Sequence, residues 1–180
     1  MSDTTDYLKF YDDEQYLLTE VRERFQKTGE LQATDLYMML IWKANRAKNY
    51  HRDRLKHLVP TGSFQDAANA VASSLHTCTS EKERLGVLMN RWGFQLATAS
   101  AILTILYPDE FTVYDYRVHD ELCMGKDLSQ RGFSDSLWSE YVAFRESVRR
   151  ETPLHLSLRD KDRFLIGRSY RKQVEIDCAG

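Results

Sequence analysis

Apolar residues along this chain recur at the three- and four-residue spacing of a helix face nearly throughout, while the alternation of a half-buried strand is scarce. That pattern restricts the fold to the all-α class. Tyr16, Leu17, Val21 and Phe25 share one stripe of a first helix over about Asp13–Lys27, which Gly29 ends. A second helix opens at Ala33 or Thr34, turns Leu36, Met39, Leu40 and Ala44 inward, and continues or breaks near Asn49-Tyr50 before the stop at Pro60-Thr61-Gly62. Further helices are expected at Phe64–Leu75, Ser80–Asn90, Gln95–Leu106, Asp115–Cys123, Ser134–Arg150 and Ser157–Tyr170. Ser80 and Glu83 form a capping box, and the tail Val174–Gly180 is expected to be loosely held.

With 180 residues, no internal repeat, no linker and only three prolines, the chain reads as one unit over 1–180, large enough for two small helical lobes sharing a cleft. No run approaches the roughly 18 apolar residues of a membrane span, so no membrane partner is expected. Residues 1–20 are acidic and Tyr-rich, unlike a secretory signal, and a cytoplasmic monomer is expected. Cys78, Cys123 and Cys178 lack a C-x-x-C pair, and His51, His57, His76, His119 and His155 lack metal-ligand spacing, so neither a metal nor another cofactor is expected.

Charge is unevenly spread. Residues 1–35 hold nine Asp/Glu against four Lys/Arg, whereas Lys43–His57 carries Lys43, Arg46, Lys48, Arg52, Arg54 and Lys56 against Asp53 alone. A stripe of that kind attracts phosphate even on a mildly acidic protein.

The chemistry is concentrated in Met89–Leu122. A tight turn at Trp92-Gly93 precedes a small-residue helix whose first N–H groups and dipole favour an anion. That helix is about 18 Å long and the link Tyr107–Val113 spans up to roughly 23 Å, so Asp115 can return towards the turn. A lone aspartate at this place is an ordinary N-cap, and the two roles are compatible. Equally, Trp42 suits a core or rim position, Lys43 and Arg46 a solvated face, and Arg159–Arg163 a set of surface ion pairs.

The segment resembles the helix-hairpin-helix DNA glycosylases. Their hairpin, approximately L-P-G-V-G, aligns with Met89-Asn90-Arg91-Trp92-Gly93 followed by Ala97–Leu103, and their catalytic V-D-T-H-V aligns with Tyr114-Asp115-Tyr116-Arg117-Val118. Leu40-Ile41-Trp42-Lys43-Ala44-Asn45-Arg46 falls where that family has an early cleft-facing helix, and Leu158–Leu165 is similar to a late helix of its small members. Arg91 stands at the first hairpin glycine and Arg117 at the usual histidine.

What the resemblance implies is a DNA glycosylase that flips a damaged or modified base from double-stranded DNA and hydrolyses its N-glycosidic bond, leaving an abasic site. Asp115 takes the place of the catalytic aspartate and stabilises positive charge on the sugar. Arg91, Trp92, Gly93, Gln95, Lys43 and Arg46 are then DNA contacts, and Trp42, Asn45, Tyr114, Tyr116 and Arg117 line the base pocket. Bifunctional members carry a lysine where Gln95 stands, and an amide cannot form a Schiff base. Base removal without lyase action is therefore expected, with Lys43 keeping lyase chemistry open. The setting is ordinary base repair or removal of modified bases from viral DNA. The alternative is a non-catalytic helix-hairpin-helix module that binds DNA or protein and has no need of Asp115.

Overall fold

The computed structural model describes residues 11–179; the first ten residues of the acidic start, and Gly180, lie outside that range. The described residues are all-helical, with no strand among them. Helix α1 runs as Asp13–Tyr16, a π turn at Leu17–Val21 and Arg22–Thr28. Gly29, in the left-handed region at φ 70°, closes it with an N–H to the Phe25 carbonyl at 2.7 Å. Helix α2, Ala33–Ala44, starts from a capping box between Gln32 and Asp35.

The break after α2 falls earlier than the expected Asn49-Tyr50. A single 3-10 turn, Asn45–Ala47, separates α2 from α3, Lys48–His57, with Ala44 and Ala47 outside helical geometry. Ser63 caps α4, Phe64–His76. Helix α5 comprises Glu81–Gly86 and a π turn at Val87–Arg91. Ser80 caps it as expected, its Oγ accepting from the Glu83 N–H, and the Glu83 carboxylate also accepts from the N–H and hydroxyl of Thr79.

Helix α6, Leu96–Leu106, is buried at every residue but Ala97, as its all-apolar and small composition requires. It forms the axis of the core and packs against α1, α2 and α5. The short α7 is Tyr116–Glu121, α8 is Asp135–Arg150 and α9 is Leu158–Ala179.

Two expectations for the C-terminal part are corrected. The tail continues as the last turns of α9, supported by the Arg171–Glu175 and Gln173–Asp177 pairs four residues apart and by Lys172 and Arg168 on Glu121 of α7. Its polarity marks an exposed helix face.

Nor is Arg159–Arg163 simply a surface row. Asp162 is fully buried, and buried Lys161 donates to the Arg149, Thr152 and Pro153 carbonyls at the end of α8. An ammonium placed on carbonyls at and just past the C-terminal end of a helix caps it and favours its dipole.

Among the described residues no helix is long and apolar enough to cross a membrane, and no group of three or more His, Cys, Asp or Glu is arranged to hold a metal ion.

Candidate functional site

Asp115 owes its position to the extended, buried stretch Phe111–Tyr114 that precedes it. A buried backbone outside regular structure must find other partners for its polar groups, and here side chains supply them. The Tyr141 hydroxyl accepts from the Thr112 N–H at 3.2 Å and donates to the Thr112 carbonyl at 2.7 Å. Asp162 accepts from the Val113 N–H and the Thr112 hydroxyl, and Ser100 Oγ on α6 accepts from the Tyr114 N–H at 2.9 Å. Ser100 lies five residues past Gln95, about 7.5 Å of helix. The segment that delivers Asp115 is thus fastened within two turns of the start of α6.

The Asp115 carboxylate then does two things. Oδ1 accepts from the Arg117 N–H at 3.0 Å, capping α7, so the ordinary role holds. Oδ2 accepts from Lys43 Nζ at 3.1 Å. Lys43 comes from the end of α2, and the two side chains are 19% and 17% exposed. The Arg117 guanidinium is 4.0 Å from Oδ1 on the outer side. A carboxylate so placed faces two cations and is largely buried.

Beyond Asp115 lies an aromatic and cationic ladder. The Arg117 guanidinium sits over the rings of Tyr116, at 4.7 Å, and Tyr170 of α9, at 5.7 Å, and both rings are about half exposed. Arg117 and Tyr170 also wall a cavity of about 340 Å³ shared with Asp120, Glu121, Ser169 and Gln173. Tyr170 is a residue that the sequence motifs do not single out, because it reaches the ladder from α9.

The turn between α5 and α6 alternates in and out. Asn90, Arg91, Gly93 and Gln95 are exposed, while Trp92 and Phe94 are buried. Gly93 alone takes a positive φ, 62°, and Arg91 remains inside the π turn with its guanidinium 5.1 Å over the Trp92 ring. A missing glycine at 91 therefore needs no left-handed arginine. Gln95 caps α6 without a side-chain bond to the backbone and touches Gln130 instead, at 3.3 Å.

Beneath the turn, Arg54 Nη1 donates to the Gly93 carbonyl at 2.6 Å, and its guanidinium lies over the Phe94 and Tyr50 rings. Burial lowers the pKa of Arg54, and burial with the nearby Arg54 charge lowers that of His51. Arg54, counted in the basic stripe, is a structural support of the turn.

Several expected contacts are redirected. The Trp92 indole is buried and donates to Ser74 Oγ at 2.8 Å, and its N–H donates to the Val87 carbonyl, so the residue is a core anchor. Tyr114 is buried too, its hydroxyl donating to Asp127 and accepting from the Leu128 N–H, which removes it from any base pocket. Burial, with the Asp127 carboxylate beside it, pushes its phenol pKa well up. Trp42 packs on the core with its ring 5.0 Å under the Arg159 guanidinium. Asn45 is exposed and accepts from Lys48 Nζ at 2.6 Å; Arg46 is exposed one residue on. The structure brings Lys43, Asp115, Tyr116 and Arg117 together.

The chain matches no protein-family profile, no curated protein and no solved structure. The site's chemistry must therefore carry the functional reading.

Proposed function

We propose that the protein is a DNA N-glycosylase of the helix-hairpin-helix type, hydrolysing the bond between a damaged or modified base and its sugar in double-stranded DNA. The observation that carries the reading is the contact between Asp115 and Lys43, with Arg117 on the carboxylate's other side. Breaking an N-glycosidic bond develops positive charge at C1′, and a held carboxylate stabilises it and orients water. Because Oδ1 is fixed by the Arg117 N–H, the carboxylate needs no reorganisation when that charge forms.

In this reading the α5–α6 turn is the hairpin, and the paired Lys43 from α2 and Asp115 ahead of α7 lie in a cleft between two helical lobes. Phosphate is held by backbone N–H groups at exposed Gly93 and Gln95, with Arg91 in the same turn and exposed Arg46 as further positive charges. The flipped base stacks on the ladder of Tyr116, Arg117 and Tyr170, since aromatic and guanidinium planes accept any base face. Modified bases of viral DNA belong among the substrates tried, beside those of ordinary repair.

The test is a panel of duplexes, each carrying one modified base, incubated with the protein and then treated with alkali to cut abasic sites. Alkali-dependent cleavage at one or more of those bases is the expected result. Tight binding to every duplex with no cleavage on any would support a non-catalytic module instead.

A further inference from the structure

A second cavity, of about 150 Å³, lies between α7, the loop that follows it and the middle of α8, and none of Lys43, Asp115, Tyr116 and Arg117 lines it. Its walls are pinned. The Met124 N–H donates to the His119 carbonyl at 3.2 Å and the Leu128 N–H to the Tyr114 hydroxyl at 2.8 Å, so the loop is fastened at both ends of the stretch that faces the cavity. Met124, Leu128 and Ala143 give it apolar sides.

One buried polar group is left over. His119 lines the cavity, is 3% exposed and makes no side-chain hydrogen bond among the described residues. Its Nδ1 is sealed and lies 3.8 Å from the Asp120 carboxylate, too far for a hydrogen bond but close enough to favour the ring proton on that nitrogen. The nitrogen that meets the cavity is then Nε2, an acceptor with no donor, which a protein interior seldom leaves. At the mouth, Glu140 is already engaged by Arg131 at 2.6 Å and Ser136 at 2.8 Å. Exposed Lys126 has no hydrogen bond or ion pair among the described residues.

We propose that this cavity is a binding site for a small, uncharged, planar cyclic amide, held by its N–H on His119 Nε2 and its carbonyl on Lys126 Nζ. A space of about 150 Å³ takes one six-membered ring, and the apolar sides suit the faces of such a ring. A cyclic amide carries a donor and an acceptor side by side, which answers the acceptor and the donor that the site leaves unused. A carboxylate brings no proton for Nε2 and meets the Glu140 charge at the mouth. A plain hydrocarbon ring leaves Nε2 unpaired, at the cost of a buried polar group. The site requires neither DNA nor the activity proposed above.

The test titrates the full chain, without DNA, with 2-pyridone and with N-methyl-2-pyridone, which keeps the ring and the carbonyl but has no N–H. Two-dimensional NMR is expected to show saturable shifts at His119, Met124 and Leu128 with 2-pyridone, with a Kd on the order of millimolar or tighter for a ligand of this size. The N-methyl compound should bind about tenfold more weakly or worse, the loss expected when a buried acceptor goes unpaired. His119→Phe keeps a ring against Phe144 and should bring the two compounds to the same affinity. Ala143 is exposed on α8, so Ala143→Phe should fold, close the mouth and abolish binding.

No saturable binding of 2-pyridone overturns the proposal. So does equal affinity of the two compounds for wild type, or unchanged binding by Ala143→Phe. Because no duplex is present, each of these results leaves base excision standing, and failure of excision on the modified-base panel leaves this site untouched.

Discussion

Arg54 Nη1 hydrogen-bonds the carbonyl of Gly93 from 39 positions upstream, at 2.6 Å, and fills the space where a side chain at 93 would begin. A Cβ built on Gly93 would stand 1.9 Å from that nitrogen. The bare, left-handed glycine and the guanidinium beneath it are thus one device, and the geometry of the turn between α5 and α6 depends on both.

Gly93→Ala is therefore expected to cost roughly 1–2 kcal/mol for the left-handed backbone, and more for displacing Arg54. In an Arg54→Ala background the second part disappears. A double-mutant cycle by urea denaturation should show an interaction energy well above 0.5 kcal/mol in order of magnitude, the level at which neighbours count as coupled. Additive effects would mean that the two residues act independently.

The end of α7 stores strain of the same kind with no such support. Cys123 is the only non-glycine residue with positive φ among those described, at 54°, and it occupies the closing position of a turn in which Met124 N–H meets the His119 carbonyl and Cys123 N–H that of Asp120. Glycine is the usual residue there. Cys123→Gly should raise stability by roughly 0.5–1 kcal/mol, the relief of the left-handed backbone less the added freedom of glycine in the unfolded chain. Cys123→Ala should leave it nearly unchanged; a gain there would assign the effect to the thiol.

Asp162 links the stretch ahead of Asp115 to α9 and to Arg159, which also pairs with Glu14 of α1. Burial, against the pull of Arg159, raises its carboxyl from 3.8 to about 6. The folded protein thus holds this proton more tightly than the unfolded chain does. The resulting stability is fully present below the unfolded value and is lost as pH rises through about 6, by roughly 3 kcal/mol for a gap of this size. The difference in unfolding free energy between wild type and Asp162→Asn should therefore decline between pH 4 and pH 6.5 and then level. A difference that grows with pH would contradict that account.

Local features were legible in the sequence because they depend on near neighbours. The helical class, the caps at Ser80 and Asp115, and the Gly29 stop all follow from spacing and residue type within one turn. What could not be read is long-range. Nothing near Lys43 or Asp115 says that they meet across 72 residues, and nothing near Arg54 says that it lies under Gly93. Trp92 sits in a motif that invites a ligand contact, yet the in-and-out alternation of the turn gives its ring to the core. Charge patterning misplaced Lys161 and Asp162, since alternating signs do not reveal which side chain ends up capping α8 or holding an extended backbone.

The central claim, that the Asp115 carboxylate is the group that breaks the bond, is tested most directly by the single-turnover rate of alkali-labile site formation for wild type and Asp115→Asn on the best duplex of the panel. Asparagine retains an oxygen to accept the Arg117 N–H, and Asn caps helices about as well as Asp, so the variant should fold, melt near wild type and bind the duplex. Its excision rate should fall by roughly 10²- to 10⁴-fold, the loss expected when a positioned catalytic carboxylate is neutralised. An Asp115→Asn protein that forms abasic sites at the wild-type rate would contradict the account.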